Sequence, residues 1–197
     1  MHMALTIRRM EEKLLRGAIE ELKSRYMAYP RQLDPKDEKE SKMIQPRSRV
    51  YEALVRKKFE LDLLDRNWYV DINPFLGGGP DELDMHTPDM VVFREGLVIV
   101  AETKQINEKS EGTKMGTFFT QVNGYRDYYE QKFSEPDIKF MSVLVTNSDT
   151  IVNSGSYQSF KGIVILVTPE NWDRDAREML EEGIKELESK GGPVLVR

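Results

Sequence analysis

Glu102 and Lys104 stand two residues apart at the end of an apolar run, Leu97-Val-Ile-Val-Ala101. If that run is a strand, its period-two alternation puts both side chains on one face. A second apolar run, Met90-Val-Val-Phe93, lies just upstream and follows Pro88-Asp89. Arg94-Glu95-Gly96, between the runs, has the composition of a hairpin turn. With Glu95-Gly96 as a two-residue loop, Arg94 opposes Leu97 and Asp89 falls opposite Glu102. Directly opposed side chains sit about 4.5–5.5 Å apart at Cβ. Two carboxylates there repel, so they require a shared proton or a bound cation. Oxygen ligands suit Mg²⁺, and Lys104 would point at whatever such a cation holds. Phosphodiester hydrolysis uses this set: a metal polarises the phosphoryl oxygen and acidifies water, and an amine stabilises developing charge.

The elements that must position these residues can be read around them. Residues 5–28 have helical periodicity, with Ile7, Met10, Leu14, Ala18, Leu22 and Tyr26 recurring at spacings of three and four. Residues 30–47 are polar, carry three prolines and read as a linker. A second helix is expected over 49–64, strands over 68–75, 89–93 and 97–104, and a third helix over 118–133. Strands at 138–146 and 162–167 follow, then a helix opened by Pro169 and Asn171, and a short strand at 193–196. The Gly77–Gly79 run reads as a flexible connection and His86 as a loop residue. An antiparallel meander followed by helix–strand units predicts an α/β fold with α+β character: a mixed sheet flanked by helices and preceded by a helical extension. The expected division is 1–47 for the helix and linker, and 48–197 for the main domain.

Composition narrows the chemistry. The chain has no cysteine, which excludes disulfides, cysteine-bound zinc and cysteine-ligated iron–sulfur clusters. No run of 18 apolar residues and no signal-peptide pattern occurs, so the expectation is a cytoplasmic protein with no membrane contact. The net charge is −5, but residues 1–60 carry 15 Lys+Arg against 10 Asp+Glu. A basic first third, with Lys109, Lys114 and the Arg56-Lys57-Lys58 run, offers a rim for a phosphate backbone. Gly112-Thr-Lys-Met-Gly-Thr117 lacks the Gly-Lys-Ser/Thr of a phosphate-cradling loop, so no nucleotide cofactor is expected.

Pro88-Asp89, then Glu102-Thr103-Lys104, resembles the signature of the PD-(D/E)XK nuclease superfamily, which has a restriction endonuclease-like core. Glu52, in Arg49-Val-Tyr-Glu-Ala-Leu54, matches the acidic residue those nucleases carry on the helix before the sheet. Gln121-Val-Asn-Gly-Tyr125 matches the Gln-x-x-x-Tyr of the RecB-like branch, and i,i+4 spacing puts both side chains on one helix face. The resemblance covers roughly residues 48–146. It departs from the branch in lacking a histidine near Glu52, and an earlier Pro80-Asp81 competes with Asp89. Asp89 is preferred because an apolar strand follows it.

The resemblance implies a metal-dependent deoxyribonuclease using Mg²⁺ or Mn²⁺. Asp89, Glu102 and the Thr103 carbonyl would bind the metal, with Glu52 binding through water or at a second metal. Lys104 would serve the nucleophile or transition state, and Gln121 and Tyr125 would position Lys104 or the DNA. Two alternatives stay open: a non-cleaving DNA-binding or assembly module, and an unrelated interaction protein with exposed charges at 102 and 104. The latter would place Asp89 and Glu102 on opposite faces. Relatives of this kind form dimers or rings, and a homodimer is one option left open.

Overall fold

The computed structural model describes residues 2–64, 67–72, 87–107, 115–133 and 135–197. The Gly77–Gly79 run, Asp81, His86, Lys109 and Lys114 lie outside them. The elements are α1 (His2–Met27), α2 (Glu38–Leu63), β1 (Tyr69–Ile72), β2 (Met90–Arg94), β3 (Leu97–Lys104) and α3 (Met115–Lys132). They continue with β4 (Lys139–Thr146), a 3₁₀ turn (Asp149–Asn153), α4 (Gly155–Gln158), β5 (Gly162–Leu166), α5 (Ala176–Lys190) and β6 (Val194–Val196).

Six strands form one sheet in chain order. β1, β2 and β3 pair antiparallel, whereas β3 through β6 pair parallel. The sheet is therefore mixed and flanked by helices. The β2–β3 register pairs Arg94 with Leu97 and Met90 with Ala101, as the two-residue loop requires. Gly96 takes φ +70, the left-handed conformation that lets the chain reverse there.

Alternation divides the strand residues between two cores. Leu97, Ile99 and Ala101 join Met90, Val92, Val143 and Ile163 beneath α1, α2 and α5. Val100 and Val91 pack on the other face against Tyr125 and Tyr129 of α3. Beyond β3, side-chain amides extend the ladder. Asn147 accepts from the Ile106 N–H (2.6 Å) and donates to its carbonyl (3.1 Å). Asn107 does the same for Leu33, at 3.3 and 2.7 Å.

Three expectations are corrected. The second helix begins at Glu38, not Arg49, so much of the supposed linker is helical, Pro46 included. Asp37 caps it by accepting from the Lys39 and Glu40 N–H groups, both at 2.9 Å. The buried stripe of α1 runs through Leu15, Ile19 and Tyr26, while Met10 and Leu14 are 61% and 72% exposed. The last helix starts at Ala176 behind its cap Asp175, not at Pro169. Trp172 is buried before the helix begins.

Candidate active site at the end of β3

The register carries Asp89, the residue before β2, to the position opposite Glu102. The two are tied through each other's backbone. The Asp89 N–H donates to Glu102 Oε2 at 3.2 Å, and the Thr103 N–H donates to Asp89 Oδ2 at 2.8 Å. Glu102 is only 3% exposed. This geometry excludes the reading in which the two carboxylates stand on opposite faces of the sheet with Glu102 exposed.

Lys104 Nζ contacts Glu102 Oε1 at 2.5 Å and lies 5.9 Å from the centre of the Phe118 ring. On α3, the Gln121 amide donates to Glu102 Oε1 (3.3 Å) and to the Tyr125 hydroxyl (2.7 Å). The Tyr125 ring meanwhile packs with Val91 and Val100. Tyr125 is thus both a core residue and a site residue. Glu52 reaches the same end of the sheet from α2, where Ser48 donates to its Oε1 at 3.1 Å.

Arg56 joins Glu52 to the strands: its guanidinium lies 3.2 Å from Asp89 and 3.7 Å from Glu52. The sequence treated Arg56 only as part of a basic run. Its i+4 spacing from Glu52 was the available signal. Lys58 is buried and paired with Asp62 at 2.7 Å, and Lys57 is paired with Glu60.

Three carboxylates and two cations make a charged, half-enclosed cluster. Burial, then the Asp89 charge, raise the Glu102 carboxyl above its ordinary value, against the pull of Lys104. The same two causes raise Glu52. Burial alone would lower the Lys104 ammonium, but Glu102, Asp89 and Glu52 together raise it. Lys104 therefore stays charged at neutral pH.

The donor set fits a hard divalent cation. Asp89 and Glu102 supply carboxylate oxygens. In an antiparallel strand the N–H and C=O of one residue point to the same neighbour, so the Thr103 carbonyl faces the Asp89 side with its N–H. Pro88, opposite Thr103 in this register, has no N–H to offer that carbonyl. Two carboxylates and a carbonyl suffice for Mg²⁺, which keeps several waters. Among the described residues, no group of three or more His, Asp or Glu side chains forms a metal cage.

No protein-family model matches the chain, and no curated protein matches it. Among solved structures it is similar to the small subunit of the heterodimeric restriction endonuclease R.BspD6I. That similarity has 15% identity, covers 71% of this chain and 75% of that one, and has a TM-score of 0.41. At that level it carries no functional inference. Among the described residues, no helix is long and apolar enough to cross a membrane.

Proposed function

We propose that this chain is a metal-dependent deoxyribonuclease of the PD-(D/E)XK type, and that Gln121 and Tyr125 place it in the RecB-like branch. The observation that carries the reading is the mutual backbone clasp of Asp89 and Glu102, with Lys104 held on the same carboxylate. Asp89, Glu102 and the Thr103 carbonyl would hold Mg²⁺ or Mn²⁺, with Glu52 behind them. The chemistry such an ion supplies is Lewis-acid activation of water and neutralisation of charge at the phosphate. Lys104, charged and aimed by Glu102, orients the water or stabilises charge developing on the phosphoryl oxygens. Gln121 fixes Glu102 and is itself held by the Tyr125 hydroxyl.

The test is digestion of linear, circular and branched DNA with Mg²⁺. Glu102→Ala and Lys104→Ala should each lose at least about a hundredfold in cleavage rate while circular dichroism stays unchanged. Wild-type activity in either variant overturns the assignment.

One observation favours a second reading, a DNA-binding or assembly module that does not cleave. Each strand-end carboxylate already has a protein cation, Arg56 on Asp89 and Lys104 on Glu102. Titration with Mn²⁺ separates the two: absence of binding favours the non-cleaving module.

A further inference from the structure

A cavity of about 380 Å³ opens beside β4's carboxyl end, between the α1–α2 connection and the segment after β5. Its lining includes Tyr29, Arg31, Arg47, Asn147, Thr168 and Glu170. Arg47 is only 5% exposed. Its Nη1 donates to the Arg31 carbonyl at 2.6 Å, its Nη2 donates to the Tyr26 hydroxyl at 3.2 Å, and it lies 5.0 Å from that ring's centre. All of these partners are neutral. Among the described residues no carboxylate lies within ion-pair distance of Arg47, and its Nε has no acceptor.

A buried charge without a counterion is strongly disfavoured. The buried Lys58 has Asp62 as its partner, and the buried Glu102 has Lys104. Arg47 departs from that pattern and lines an open cavity. At the rim, the exposed Arg31 stands 3.6 Å from Glu170. Among the described residues that line the cavity, two guanidiniums stand against one carboxylate.

We propose that this cavity binds a phosphate monoester, carried by a mononucleotide or by the end of a nucleic-acid strand. A phosphate dianion balances the charge that Arg47 leaves uncompensated, and guanidinium is the side chain best matched to phosphate. The cavity falls in the size range of small-ligand sites, about 300–1,000 Å³. The Tyr29 ring lines the cavity and gives an attached nucleoside a surface to lie against. This inference does not rest on the nuclease reading, because none of these residues belongs to the Glu102 site.

The experiment is calorimetric titration of the full chain carrying Glu102→Ala, in phosphate-free buffer without divalent metal. The probes are inorganic phosphate, deoxyadenosine monophosphate, deoxyadenosine, and one oligonucleotide with a 5′-phosphate or a 5′-hydroxyl. Phosphate-bearing probes should bind at least about tenfold tighter than their counterparts. Arg31→Ala should weaken them several-fold, Arg47→Met should abolish binding, and Glu170→Gln should tighten it. Preference for the oligonucleotide assigns the site to a strand end, and preference for the mononucleotide assigns it to a free nucleotide. Absence of binding by every phosphate probe, or unchanged affinity in Arg31→Ala, overturns the proposal. Arg31 is exposed, so that variant stands as a test even if Arg47→Met fails to fold.

Discussion

Asp89 is the residue through which the other site charges are tuned. Burial raises both Glu52 and Glu102 and the Asp89 carboxylate raises them further, while its Oδ2 accepts the Thr103 N–H and its Oδ1 meets Arg56. Asp89→Asn keeps an acceptor for Thr103 and removes the charge. Both glutamates should then titrate at lower pH in the metal-free protein, as read by carboxyl carbon NMR. Unchanged titration of both would show that burial alone sets their values. The pH dependence of stability follows in sign. Glu52 and Glu102 have folded values above the ordinary 4.5. Their contribution is therefore fully present below that value and lost as pH rises through the folded ones. Lys104 is also raised, from 10.5, so its contribution persists through neutral pH and is lost only in strong alkali. Asp89, Glu102 and Lys104 were legible in the sequence because one turn, Glu95-Gly96, fixes the register of two strands. Arg56 was not, because a basic helical run looks the same whether it faces solvent or a carboxylate.

Helix ends and faces were harder to read than strands. In α1, Met10 and Leu14 form an apolar stripe beside the one that is buried, and periodicity alone cannot rank two adjacent stripes. The start of α2 was hidden because three prolines and a charge run outweigh one capping aspartate by composition, although Asp37 does cap it. The register of β2 and β3 allowed no such ambiguity, since the two-residue Glu95-Gly96 turn fixes it and a one-residue slip would send every side chain to the opposite core. Between elements, Asp62 has a role that no motif announced. Its Oδ2 accepts both Lys58 Nζ (2.7 Å) and the Ala176 N–H that opens α5 (2.9 Å). Asp62→Ala leaves a buried ammonium and a helix-end N–H without their acceptor. It should destabilise the fold by about 3 kcal/mol in urea denaturation. A loss below about 1 kcal/mol would show that water replaces both bonds.

At the scale of the molecule, α1 is part of the main core. Leu15 is buried, and Ile19 and Tyr26 share one cluster with Phe59, Val143 and Trp172. Burying three such side chains contributes roughly 5–9 kcal/mol, comparable with the whole stability of a domain, about 5–15 kcal/mol. A chain beginning at Asp37 should therefore lose its cooperative thermal transition in circular dichroism. A sharp transition in that truncation would make 1–36 an appendage. The amides of Asn107 and Asn147 add a last consequence. They hold the main chain at Leu33 and Ile106 in bonds that no strand provides. Deuterium should enter the Leu33 and Ile106 amides as slowly as it enters β3, so that a stretch with the outline of a loop exchanges like the interior of a sheet.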